Sequence, residues 1–262
     1  MRQLIVTMFG AAAVGVACAS GALAADMPLK APAAVYNAPY NWTGLYVGGH
    51  IGYGWMNSTD QVTAVSDPAR FVSGGFIATS LPVDPKGFVG GGQIGFNWQA
   101  PGSRWVLGIE ADISGTNFNN TVALPGPNDS SRIMTAQEKL DWLGTVRGRL
   151  GWTPADRLLV FATGGLAYGH RSLSTALTRT TAACGAAQCE QGSASDTHAG
   201  WVVGGGAEWA FSGNWIARAE YLYFDLGSLS HRMTDPVFPA EVLEASARFR
   251  GSIARAALSY KF

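Results

Sequence analysis

The chain predicts an all-β fold: an eight-stranded antiparallel up-and-down barrel that crosses a membrane with its strands. Three observations carry the prediction. From residue 41 onward about eight segments alternate apolar and polar side chains, the period of a strand with one face in each environment. Each segment reaches the roughly 9–11 residues that a tilted membrane strand needs. The links between segments alternate short and long, as in barrels with tight turns on one side of the membrane and long loops on the other. Finally, charged residues make up only 14% of a chain that is 47% hydrophobic and holds 34 glycines. An ordinary soluble domain carries about 25% charged residues, and no segment after the N-terminus approaches the ~20 unbroken apolar residues of a spanning helix.

Residues 1–24 read as a secretory signal peptide. Arg2 supplies the positive start, 4–17 are apolar and small, and Ala22-Leu23-Ala24 is a small-x-small cleavage site. Residues 25–40 hold Pro28, Pro32 and Pro39 without periodicity and read as an extended leader in the periplasm. The barrel is expected over 41–262.

Segment one, 43–55, sets Leu45, Val47, Ile51, Tyr53 and Trp55 against Gly44, Gly48, His50, Gly52 and Gly54. Segment two, 86–99, sets Phe88, Ile94, Phe96 and Trp98 against Gln93, Asn97 and Gln99. Segment three, 104–118, sets Trp105, Leu107, Ile109 and Ile113 against Glu110 and Asp112. Segment four, 138–152, sets Leu140, Trp142, Val146, Leu150 and Trp152 against Lys139, Asp141, Arg147 and Arg149. Segment five, 157–172, sets Leu158, Val160, Leu166 and Tyr168 against Phe161, Thr163 and Gly165. Segment six, 198–211, places Trp201, Val203, Ala207, Trp209 and Phe211 opposite Gly204, Gly206 and Glu208. Segment seven, 214–226, places Trp215, Ala217, Ala219, Tyr221 and Tyr223 opposite Arg218 and Glu220. Segment eight, 247–262, ends with Ala256, Leu258, Tyr260 and Phe262 on one face and Arg255, Ser259 and Lys261 on the other.

The twelve prolines all fall outside these segments, as expected where a closed ladder has no edge to shelter a residue without an N–H. The tryptophans sort by topology. Trp42, Trp98, Trp105, Trp152, Trp209 and Trp215 lie beside the leader or the short turns, joined by Phe262, while Trp55 and Trp201 lie at the long-loop end. Aromatic residues concentrate in such interfacial girdles.

The polar faces collect Glu110, Asp112, Lys139, Asp141, Arg147, Arg149, Glu208, Arg218, Glu220 and Arg255. Slipping a strand by one residue would turn these charges to lipid, at roughly 2–4 kcal/mol per midplane Arg. Eight strands enclose a space that side chains can just fill. The expectation is therefore an ion-paired, closed interior. The alternative is a narrow solute conduit lined by Arg147, Arg149, Arg218 and Arg255.

Other chemistry is sparse. Cys18 leaves with the signal, and Cys184 and Cys189 read as a loop disulfide, with a metal pair as the alternative. No histidine sits at ligand spacing beside them. His170 and Ser172 lie two apart near the loop end of segment five. They could serve a lipid-modifying enzyme, but no acid follows at a spacing that would orient the histidine, so no catalytic residue, metal or cofactor is assigned. A formal net charge of +0 points to no nucleic-acid partner.

The end of the chain, with Leu258, Tyr260 and Phe262, resembles the C-terminal assembly signal of bacterial outer-membrane barrels. With Trp42-Thr43-Gly44-Leu45-Tyr46-Val47-Gly48-Gly49, Gly164-Gly165-Leu166-Ala167-Tyr168-Gly169 and Gly204-Gly205-Gly206-Ala207-Glu208-Trp209, nearly the whole chain resembles the small outer-membrane surface antigens of alphaproteobacteria. This is an opacity-like group often labelled "porin family". The resemblance implies residence in a Gram-negative outer membrane and variable outside loops. It also implies roles in envelope integrity, surface recognition and, in some members, haem or solute binding, none with a residue motif to carry over. The partners expected are outer-membrane lipids and lipopolysaccharide, the assembly machinery and periplasmic chaperones. Host or phage ligands are expected at loops 57–85, 119–137, 173–197 and 227–246, and pairing between barrels is left open.

Overall fold

A computed structural model describes residues 39–65, 72–181, 189–235, 237 and 240–262. The segment expected as a signal peptide and nearly all of the expected leader therefore lie outside the described residues. The strands are β1 (Gly44–Met56), β2 (Ser58–Ala64), β3 (Ser80–Val83), β4 (Lys86–Gln99), β5 (Trp105–Pro125), β6 (Arg132–Ala155), β7 (Leu158–Arg179), β8 (Gln191–Ser212), β9 (Trp215–Thr234) and β10 (Val242–Lys261).

All pairings are antiparallel between neighbours in the order β1-β4-β5-β6-β7-β8-β9-β10, and β10 pairs back onto β1, which closes the ring. β2 prolongs β1 along β10, through Gln61↔Ser246 to Ala64↔Leu243. β3 prolongs β4 and pairs with β2. The ten segments thus make eight staves, with the first broken at Asn57 and the second at Asp84-Pro85. Two of the tight turns use glycines in the left-handed region, Gly102 at φ 74° and Gly213 at φ 52°, where a side chain would strain the backbone.

The staves are longer than the sequence pattern indicated. β6 has 24 residues and β7 has 22, about twice what a bilayer requires. Most of 119–137, 173–197 and 227–246, expected as loops, is sheet that continues beyond the membrane. There the inward residues Met134, Ala136, Leu177, Met233, Leu243 and Ala245 are apolar and packed together, while polar side chains turn out to water. The longer strands also take in prolines. Pro82 lies in β3, which pairs on one side only, Pro125 ends β5, and Pro154 sits where the β6–β7 register slips. These are the edge, end and bulge positions that proline tolerates.

The outward face of the central stretch is greasy: Ile51, Phe88, Ile109 and Leu166 are each at least 64% exposed to the surroundings. Aromatic pairs band it at both ends. Trp215–Tyr260 and Tyr260–Phe262 lie at the short-turn end, and Trp142–Tyr168, Trp201–Tyr223 and Trp55–Tyr221 at the other.

Candidate functional site

The inside of the ring is a stack of layers. At the short-turn mouth, the chain entering β1 turns Trp42 inward. Trp42 is 0% exposed and packs with Val106, Leu159, Ala210 and Ile216. Its backbone N–H donates to Gln99 Oε1 at 3.0 Å, and Tyr40 meets its ring edge-on. This corrects the placement of Trp42 in the aromatic girdle. The residue sits before the first strand and so is free of the strand's alternation; it plugs the mouth. Trp98, Trp105, Trp152, Trp209 and Trp215 face outward, between 41% and 58% exposed. Leu258, Tyr260 and Phe262 share that outer face.

Above the plug lies a charge layer of four arginines and four acids. Strand register alone places three pairs directly opposite one another: Glu110 against Arg147, Glu208 against Arg218, and Glu220 against Arg255. Side chains then reach across the lumen. Arg147 spans Glu110 at 2.5 Å, Asp112 at 2.9 Å and Glu220 at 2.6 Å. Arg218 lies 2.6 Å from both Glu110 and Glu208. Arg255 meets Glu220 at 2.8 Å and Asp112 at 3.1 Å. Arg149 pairs with Glu208, donates to the Tyr46 hydroxyl at 2.6 Å and lies over the Phe161 ring at 4.1 Å. Tyr46 in turn donates to Glu110 at 2.5 Å. All eight charged residues are buried, none more than 6% exposed. Pairing in this form answers the large cost of burying charge in a low-dielectric space. The four arginines that a conduit would need as lining are committed to carboxylates.

Two members of the expected network lie elsewhere. Lys139 is half-buried and Asp141 exposed, both outside the lumen. The cause is a bulge: Leu140 pairs with Arg171 and Trp142 with His170, leaving Asp141 extra on β6. Below it the odd residues Leu143, Thr145, Arg147 and Arg149 face in; above it the even residues Met134, Ala136, Glu138 and Leu140 do. One inserted residue exchanges the faces, and strict alternation read from the sequence has no term for it.

Over the charge layer an apolar layer closes the lumen, with Met56, Phe118, Leu140, Leu143, Phe224 and Phe249 at its centre. Above that, Asp60 from β2 and Glu138 from β6 bring their carboxyls together, both 0% exposed and with all four oxygens buried without a hydrogen-bond partner among the described residues. Burial raises both acids, and the facing Asp60 raises Glu138 further. The sequence reading missed this pair, since Glu138 was taken as the start of a strand and Asp60 as part of a loop. The outermost layer is apolar and includes Val62, Ile77, Leu81 and Val83 from the 57–85 excursion.

The remaining expectations are placed as follows. Cys189 is disulfide-bonded, and Cys184 lies outside the described residues. His170 Nδ1 is 3.3 Å from Thr197 Oγ1; Arg171, between His170 and Ser172, is turned inward onto Asp196 at 2.7 Å. No cluster of three metal-ligating side chains occurs among the described residues.

Residues 9–262 match a family model described as outer membrane protein beta-barrel domain. The 31 kDa outer-membrane immunogenic protein of Brucella melitensis is 35% identical over 255 residues, covering 96% of this chain and 98% of that protein. The 22 kDa outer membrane protein of Rhizobium leguminosarum is 29% identical over 150 residues, covering 56% of this chain and 58% of that protein. Among solved structures, the outer membrane protein OprG of Pseudomonas aeruginosa aligns at TM-score 0.48 with 11% identity, over 86% of this chain and 98% of that chain.

Proposed function

From its membership of the outer membrane protein beta-barrel domain family, to which this chain belongs, we infer that the protein is a closed, non-conducting wall element of the outer membrane that displays a recognition surface outside the cell. It is an outer-membrane β-barrel protein of a Gram-negative envelope. The observation that carries the inference is the filled lumen. A tryptophan plug, a charge layer with every arginine paired, and two apolar layers occupy it from one mouth to the other. Such an interior braces the ring and leaves function to the outward surface, where binding residues sit on a rigid scaffold.

That surface consists of the sheet beyond the membrane and the tips between strands. The Brucella relatives are named immunogenic, and exposed tips of this kind are what an antibody, host receptor or phage would meet. Lipopolysaccharide and outer-membrane lipids surround the greasy belt and its aromatic bands. The protein carries no catalytic role in this reading: His170 bonds Thr197 rather than Ser172, so Ser172 lacks the base that nucleophilic catalysis needs.

Planar-bilayer recording on refolded protein, after a heat-dependent gel shift establishes the folded barrel, tests the inference. Silence is expected. Reproducible conductance steps that change on Arg147→Ala would replace it with the conduit. Lipid A that changes mass on overexpression of the protein, and not of His170→Ala, would replace it with the enzyme.

A further inference from the structure

The pair Asp60–Glu138 stands apart from the charge layer below it. The acids of the charge layer are all bound to arginines, whereas among the described residues neither Asp60 nor Glu138 has an ion pair. The two carboxyls interact electrostatically, and all four of their oxygens, like the neighbouring Ser58 hydroxyl, are buried without a hydrogen-bond partner among the described residues. Two buried carboxyls without a donor avoid mutual repulsion only if one holds a proton, which it can then donate to the other, since carboxylate oxygens only accept.

The charges on the surrounding elements bring no relief. Asp84, between β3 and β4, adds a third negative charge. On β6, the neighbouring Lys139 is outside the lumen. On β7, Arg171 is held by Asp196 and by the Leu226 carbonyl at 2.7 Å. Arg248 of β10 is held by Asp225 of β9 at 2.6 Å, Glu244 of β10 lies on the outer face, and Lys86 at the start of β4 is exposed. His231 of β9, opposite Ala245 of β10, lies 2.7 Å from the Thr175 hydroxyl of β7, and burial lowers its pKa, which favours the neutral ring. On β5 the nearby Asn119 and Asn120 are neutral.

The position of the pair makes this matter. Asp60 belongs to β2, which pairs with β10 at only four positions and otherwise carries β3, an edge strand. Val62, Ile77, Ala78, Leu81 and Val83 of this excursion fill the outer mouth against β6, β7, β9 and β10. The carboxyl pair sets β2 of this excursion against β6 across the lumen, while Asn128 donates to the Gly74 and Gly75 carbonyls nearer the tip.

We propose that Asp60 and Glu138 form a proton-operated latch: sharing one proton, they hold β2 and residues 72–83 in the outer mouth, and when both are ionised they push that apolar packing loose. The sign follows from linkage. Acids that hold protons more tightly in the packed state than in the loosened one favour packing at low pH. That preference is lost as pH climbs from the ordinary carboxylate range through the raised value.

Hydrogen exchange on the refolded full chain in micelles tests the latch, with amide protection corrected for intrinsic rates at pH 5, 7 and 9. Protection over 72–83 is expected to fall at least tenfold from pH 5 to pH 9, while β4 and β5 within the membrane belt hold steady. Glu138→Gln and Asp60→Asn, each checked by the gel shift, should abolish the fall, because an amide–carboxyl pair remains bonded without the proton. A flat wild-type profile, or a fall that persists in a folded neutral variant, would overturn the proposal. So would failure of both neutral variants to fold, since a neutral bonded pair is its stable state. Calcium that restores protection at pH 9 would also overturn it, by making the pair a cation site.

Discussion

Arg218 illustrates what a single side chain does in this interior. It is held between Glu110 and Glu208 and is 4% exposed, so removing its charge leaves a buried layer of four acids with three arginines, none of which can reach water. Arg218→Met should destabilise the barrel by about 3–5 kcal/mol, the cost typical of breaking a buried pair from one side. Urea unfolding in micelles measures it, and bilayers containing the folded variant should stay silent. Residue types and their polarity were readable at this scale: eight of the ten interior charges expected from alternation meet in one layer. Lys139 and Asp141 were misplaced because an unpaired residue on β6 inverts the alternation there. The carboxyl pair went unseen because Asp60 and Glu138 are 78 positions apart on non-neighbouring strands.

At the scale of elements, the short segment before β1 works as a plug. Trp42→Ala should open a cavity beneath the charge layer and cost about 3–5 kcal/mol. Trp209→Ala, on the outer face at 58% exposure, should cost less; paired unfolding curves compare the two. Strand contact is just as tight where β4 crosses β5. A Cβ added at Gly91 would lie 1.9 Å from the Ile113 carbonyl oxygen and 2.8 Å from Ser114 Cα. Gly91→Val is therefore expected to block formation of the heat-shifting species on refolding, since backbone rather than a flexible side chain would have to move. The pattern located every stave but ended most of them early. Above the membrane the outward residues become polar, as loop residues are, while the inward ones stay apolar in a spacing that resembles scattered hydrophobes until the neighbouring strands are in place.

For the molecule as a whole, a closed ring with a filled lumen predicts mechanical rather than transport behaviour. In bilayers the wild-type protein should give no steps. Replacing residues 126–131, the turn between β5 and β6, with a two-residue turn should leave the gel shift intact, because the strand ladder and the charge layer do not depend on that tip, which holds Gly74 and Gly75 through Asn128. Loss of the folded form in that variant would show that the tip is part of the barrel's support.

The amino-acid order by itself determined the all-β class, the membrane belt, the sidedness of the tryptophans and the sign of nearly every inward residue. These follow from a period-two pattern set against two solvents, a local property. Tertiary structure alone decided how far the staves extend, where a bulge reverses their faces, that Trp42 turns inward, and that Asp60 faces Glu138. Each of these depends on which distant strand lies opposite, and closure of the ring is what brings those strands together.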